Sequence, residues 1–222
     1  MKIGVSSYSF SQLINSGEMT QADCVEKAKE LGFDAIEFID LQPEDGYTEK
    51  EYAKLIRERA EKAGIEITAY TVGARLITES DEETEKEIKR IMEKADVAEI
   101  LGAKLMRHDA YFWQNKYRSF DLSLPELAEN IRKIADYAES KGIKTMVENH
   151  GFICQDSIRV EKIFNAVNHP NFGLLCDIGN FLCVDENPVT AVSRVAPYAF
   201  HAHIKDFYVH GFDYPSDGCI VT

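Results

Sequence analysis

Two hydrophobic periods alternate along the chain. Short apolar runs are each followed by a loop, then by a stretch in which apolar residues return every three or four positions, then by a glycine and another apolar run. In the longer stretches Tyr52, Leu55, Ile56, Ala60 and Ala63 share one helical face. Ile88, Ile91, Met92, Ala95 and Ala98 share another, as do Leu127, Ile131, Ile134, Ala135 and Ala138. The opposite faces carry Glu, Lys and Arg, the pattern of helices that bury one side. The run from Glu82 to Lys94 reads as the solvated side of such a helix. Strands are expected at 3–8, 34–39, 65–70, 103–108, 143–148, 172–177 and 199–205, with helices near 20–31, 48–63, 80–101, 123–141, 156–167 and 188–196.

Punctuation agrees with this pattern. Gly32, Gly64, Gly102 and Gly142 each stand between the end of a helical stretch and the next apolar run, where a left-handed residue turns the chain sharply. Thr20-x-x-Asp23, Thr48-x-x-Glu51, Ser80-x-x-Glu83 and Ser123-x-x-Glu126 fit capping boxes, and Asn187-Pro188 offers an N-cap with proline at the first helical position. Strands alternating with helices require right-handed crossovers and a parallel sheet. An open doubly wound sheet is the alternative, but its nucleotide-binding forms carry a glycine-rich turn after the first strand. The first turn here, Tyr8-Ser9-Phe10-Ser11-Gln12, has none. The expected fold class is therefore α/β, a TIM (β/α)8 barrel. A full barrel takes about 250 residues. This chain has 222, and Phe207 to Thr222 shows neither a helical period nor an eighth strand. Residues 1–222 are thus expected to be a single barrel domain truncated after the seventh strand, with the eighth βα unit missing.

Composition narrows the partners. Lys and Arg number 25 against 38 Asp and Glu, a formal charge of −13. Nucleic acid is an unsuitable partner for such a surface. The N-terminus has no signal-like apolar core and no apolar run approaches membrane-spanning length, so a cytoplasmic protein without membrane contact is expected. The five cysteines form no CxxC pair and fit a reducing compartment better than a disulfide framework. A homo-oligomer is compatible with this composition.

Chemistry concentrates at three strand ends: Val147-Glu148-Asn149-His150, Cys176-Asp177-Ile178-Gly179-Asn180 and His201-Ala202-His203-Ile204-Lys205-Asp206. In a parallel barrel all strand C-termini open on one rim, so Glu148, Asp177 and His203 can converge on one ion. Two carboxylates and an imidazole suit a divalent metal such as Mn, Co, Mg or Zn. Structural readings stand beside this one. Glu148 can bond loop amides, Asp177 can form an Asx turn before Gly179, and His203 can be a hydrogen-bonded core imidazole. On a continuing strand His150 would share the side of Glu148, and Lys205 that of His203, placing both for substrate contact. Lys205 can instead simply pair with Asp206. His108 and Glu37 end the fourth and second strands and face the expected mouth, Glu37 more as a structural partner. Tyr8, Phe10 and Trp113 lie in loops on that side and can stack on a sugar's C–H face.

The ordered set of Glu-Asn-His, Cys-Asp-Ile-Gly-Asn and His-Ala-His-Ile-Lys-Asp on a βα repeat resembles the xylose isomerase-like TIM barrels, the sugar isomerase/epimerase superfamily. The opening Met-Lys-Ile-Gly-Val-Ser-Ser-Tyr-Ser-Phe and Leu-Gly-Phe-Asp-Ala-Ile-Glu-Phe are similar too. The resemblance implies metal ligands at Glu148, Asp177 and His203, with a fourth from a strand-eight glutamate that has no counterpart here. Asn180 stands where related epimerases can carry a histidine at the substrate. The implied activity is isomerisation or epimerisation of a small sugar or sugar derivative by proton transfer next to a carbonyl, with a divalent metal stabilising the enediolate and Glu148 as acid/base. A lyase on the same scaffold, an inosose-type dehydratase or a C-glycoside/3-keto-sugar lyase, begins with the same step and is the alternative. An endonuclease of the related fold would want more histidines and a basic footprint. A non-catalytic sugar-binding barrel would lack the metal.

Overall fold

The computed structural model describes residues 2–112, 115–209 and 220–221. Seven parallel strands follow one another in sheet order: β1 (Gly4–Ser6), β2 (Ala35–Ile39), β3 (Glu66–Val72), β4 (Leu105–His108), β5 (Lys144–Glu148), β6 (Phe172–Asp177) and β7 (Ala199–His203). Helices alternate with them: α1 (Ser11–Asn15), α2 (Cys24–Glu30), α3 (Glu49–Ala63), α4 (Asp81–Leu101), α5 (Phe120–Ser140), α6 (Ser157–Val167) and α7 (Pro188–Val195). This is the βα succession of a TIM barrel with seven parallel strands among the described residues. Beyond β7, Tyr208–Val209 (β8) pairs antiparallel with Ile220–Val221 (β9). Hydrophobic periodicity predicts no strand there, because two residues are too few to show one.

The chain divides into two compact units. The first takes in Met1–Gly73, Ile88–His108 and Ile134–Thr145, and the second Ala74–Glu87, Asp109–Lys133 and Met146–Thr222. In the first, β1 to β4 pair in parallel, and α3 buries Tyr52, Ala53, Ile56 and Ala60. In the second, β6 pairs with β7, and Val160, Leu174, Cys176, Phe181, Ala191 and Val195 form a core cluster. Apolar side chains on the strands and on the inner helical faces supply the burial that drives folding.

Local signals hold where no tertiary partner competes. Thr48 and Glu51 form a reciprocal capping box, and the side chain of Asn187 accepts from the amides of Val189 and Thr190. Gly32, Gly64, Gly102 and Gly142 all have positive φ. The expected start of α5 at Ser123 is displaced. The helix begins at Phe120, and Ser123 is fully buried, donating to the Phe120 carbonyl and hydrogen-bonded to the Tyr111 hydroxyl at 2.7 Å. With the helix starting at Phe120, Ser123 lies inside it, where its hydroxyl bonds back to the Phe120 carbonyl instead of capping. Pro125 lies inside α5, near its start. A further short helix, α1, and the 3-10 turn Gly179–Val184 are not expected from periodicity, being too brief to express one.

Candidate metal and substrate site

Three strand ends of the second unit build the site. β5 finishes at Glu148 and β6 at Asp177, both nearly inaccessible, with side chains 8% and 2% exposed. β7 finishes at His203, the register partner of Asp177 across the parallel pair. The His203 carbonyl accepts from Ile178 N at 3.1 Å, which holds the two strand ends level. His203 Nδ1 lies 3.9 Å from both Glu148 Oε1 and Asp177 Oδ2. One donor atom from each of Glu148, Asp177 and His203 lies within 4.8 Å of the other two.

Asn180 holds both carboxylates. Its backbone N–H donates to Asp177 Oδ1 at 3.0 Å, and its side-chain Nδ2 donates to Glu148 Oε1 at 2.9 Å. Asp177 thus engages the 3-10 turn with one oxygen and turns the other toward His203 and Lys205, so the turn-forming reading and the convergence coexist. Lys205 Nζ lies 3.1 Å from Asp177 Oδ2. Gly179 allows the close approach of the chain at Lys205, because a Cβ there would stand 2.6 Å from the Lys205 carbonyl oxygen. Lys205 lies just past the end of β7 and sits over the Phe207 ring as well as pairing with Asp177.

Burial raises the carboxyl of Asp177 above its ordinary range, and the charge of Glu148 raises it further. Lys205 and the Asn180 amide pull in the opposite direction without cancelling the rise. Two carboxylates packed this closely repel each other. A divalent cation among Glu148, Asp177 and His203 would offset that repulsion, and the oxygen and imidazole donor set suits Mn, Co, Mg or Zn. The residues therefore fit the group.

His150 leaves the strand. β5 stops two residues earlier, and the half-exposed imidazole places Nδ1 3.0 Å from Asp109 Oδ1, with Asp109 largely buried. The Phe112 ring stands edge-on to it. His108, the last residue of β4, is fully buried, as is most of Phe10. Both belong to the first unit, together with buried Glu37. Tyr8 is 65% exposed. Trp113 lies outside the described residues.

Four residues with a place in this arrangement receive no role from sequence. Asn149 exchanges two hydrogen bonds with the Asp177 backbone, at 2.8 and 2.9 Å. Gln155, 3% exposed, donates from Nε2 to the Asn180 carbonyl at 2.7 Å. Asp109 orients His150. His201 stands with its ring centroid 5.5 Å from that of His203. Strand alternation could have found His201, two positions before His203. Nothing in the sequence marks long-range partners such as Asp109 and Gln155.

The sequence profile of the xylose isomerase-like TIM barrel matches residues 25–220. Inosose dehydratase of Clostridium beijerinckii is 24% identical over 234 residues, covering 91% of this chain and 75% of its own. The chain spans 64% of the length of several other inosose dehydratases. Among solved structures, the probable 3-DHS dehydratase AsbF of Bacillus anthracis superposes with TM-score 0.78 at 19% identity, covering all of this chain and 83% of that one. The IolI protein with a bound zinc atom gives 0.76 at 18%, covering 100% and 78%. A D-psicose 3-epimerase gives 0.74 at 20%, covering 96% and 77%. At these identities the structural likeness establishes the fold alone.

Proposed function

The chain belongs to the xylose isomerase-like TIM barrel family, and from that premise we propose that it is a divalent-metal-dependent lyase, a dehydratase acting on a β-hydroxy ketone of the sugar or cyclitol type. The observation that carries the reading is the convergence of Glu148, Asp177 and His203 within 4.8 Å of one another. An isomerase or epimerase, the first expectation from sequence, ranks second, because the curated sequence relatives are inosose dehydratases by name, while the epimerases, like the probable 3-DHS dehydratase, are matched in fold alone. Residues 1–222 are read as one barrel domain.

Glu148, Asp177 and His203 would hold a divalent ion, which would supply Lewis-acid polarisation of a carbonyl. The remaining work falls to side chains. Lys205, whose ammonium lies beside Asp177, binds a substrate oxygen that gains negative charge. Glu148 takes the proton from the carbon next to the carbonyl, and the C–H electron pair becomes the new C=C bond. Asp109 fixes His150 through Nδ1, so that the ring turns Nε2 to the departing hydroxyl and acts as its proton donor. The C–O bond breaks and water leaves; Glu148 then returns its proton to solvent and His150 takes one back, so that the net change is the loss of one water.

The test is calorimetric titration of the metal-stripped protein with Mn, Co, Mg and Zn, followed by incubation of the loaded protein with inosose and 3-keto sugars in D2O. The proposal expects one site per chain, lost in Glu148→Ala and His203→Ala, and water loss from a β-hydroxy ketone. Absence of any stoichiometric ion would overturn it.

A further inference from the structure

The geometry points to Gln155 as a positioning residue for the two carboxylates, acting through Asn180; this inference rests on the metal-site reading above. Gln155 follows the loop that carries His150 and precedes Asp156, whose side chain caps α6 by accepting from Arg159 N. Its amide is spent on two backbone groups. Oε1 accepts from Phe152 N at 2.7 Å, and Nε2 donates to the Asn180 carbonyl at 2.7 Å. The residue it grips bonds both carboxylates, from its backbone to Asp177 and from its side chain to Glu148. Fixing the Asn180 carbonyl fixes the rest of that residue, and with it the direction in which one oxygen of each carboxylate is held.

Phe152 has positive φ, at 62°, and Gly151 before it at 81°. A non-glycine residue held there needs outside support, and the Gln155 acceptor gives it to the Phe152 amide. Gly151 also tolerates the Phe112 ring, which would stand 3.1 Å from any Cβ. Thus a single buried amide joins the loop of His150 to the turn that aims Glu148 and Asp177. Outer partners of metal ligands typically contribute about 10–100-fold in affinity, because a ligand free to rotate must be ordered when the ion binds.

Gln155→Glu isolates the effect. It keeps an acceptor for Phe152 N and replaces the donor facing the Asn180 carbonyl with an oxygen. Its added negative charge would by itself favour a cation. Gln155→Met, which removes both bonds without adding charge, serves if the first variant does not fold. The readouts are the Co(II) dissociation constant and the visible Co(II) spectrum, on variants whose circular dichroism matches the wild type. We expect Co(II) binding weakened about 10–100-fold and an altered ligand-field spectrum. Unchanged affinity and spectrum in a folded variant overturn the inference. If the wild-type chain itself binds no Co(II), the metal site falls and the role of Gln155 falls with it. A wild type that binds and variants that bind identically remove Gln155 alone.

Discussion

Asn149 and Asp177 are joined by a closed pair of hydrogen bonds, Asp177 N to Asn149 Oδ1 at 2.8 Å and Asn149 Nδ2 to the Asp177 carbonyl at 2.9 Å. A side-chain amide here imitates a neighbouring strand, and both residues are buried. Removing it with Asn149→Ala leaves two backbone groups of Asp177 without this partner, at a cost of roughly 2–4 kcal/mol. Urea unfolding with an unchanged m-value checks the figure. Asn149→Asp, which keeps one bond at most, should fall short of wild type as well.

The raised carboxyl of Asp177 makes a prediction about pH. Its folded value exceeds its unfolded one, so the folded chain holds more protons between the two. Stability from this group is therefore fully present below the unfolded value and is lost as pH rises through the folded one. In metal-free protein, Asp177→Asn should match the wild type in acid and gain melting temperature over it as pH climbs toward neutrality. Metal should raise the wild-type melting temperature and leave the variant unmoved, because the variant lacks the ligand. Parallel melting curves with and without Zn across pH test both halves.

His150 and Asp109 should behave as a pair in catalysis and not in metal binding. His150→Gln is expected to lower kcat by about 10²–10⁴-fold, the usual contribution of a positioned acid or base. Asp109→Asn should lower it too, by releasing the imidazole from its orientation. The dissociation constant for metal should stay unchanged in both, since neither is among the three converging donors. Kinetics and calorimetry on the same preparations separate the two effects.

Gly179 and Gly173 differ in what surrounds them. A Cβ on Gly179 meets a backbone oxygen at 2.6 Å, whereas one on Gly173 meets the Phe200 ring at 2.7 Å. A ring can rotate away and a backbone carbonyl held beside the site cannot. Gly179→Ala should therefore cost at least the roughly 1–3 kcal/mol typical of overpacking and displace Lys205, while Gly173→Ala costs less. Thermal melts rank them. A larger loss for Gly173→Ala would contradict the reasoning.

The fold is legible because its signals are local and repeated. Apolar periods, positive-φ glycines and the Thr48–Glu51 box each act over a few residues, and most expected strand and helix bounds stand within a few positions of the observed ones. The Ser123 cap fails because the helix starts earlier, at Phe120, which leaves Ser123 inside it with its hydroxyl bonded to Tyr111 and to the Phe120 carbonyl. Part of the candidate site is legible for a different reason. A barrel rim gathers strand ends, so Glu148, Asp177 and His203 can be brought together on paper from topology alone. Their supports are not legible, because Asn149, Gln155 and Asp109 act through hydrogen bonds to residues 25–41 positions away. Strand alternation carries His150 onward beside Glu148. The chain instead turns at Gly151, and the imidazole finds Asp109. No helix among the described residues is long and apolar enough to cross a membrane.

Product mass decides the central claim. The metal-loaded wild-type chain, given a β-hydroxy ketone of the cyclitol or sugar type, should yield a product lighter by one water, and Glu148→Gln should yield none. A product of unchanged mass that has exchanged its α-hydrogen with solvent deuterium would contradict the dehydratase reading and place the chain with the epimerases.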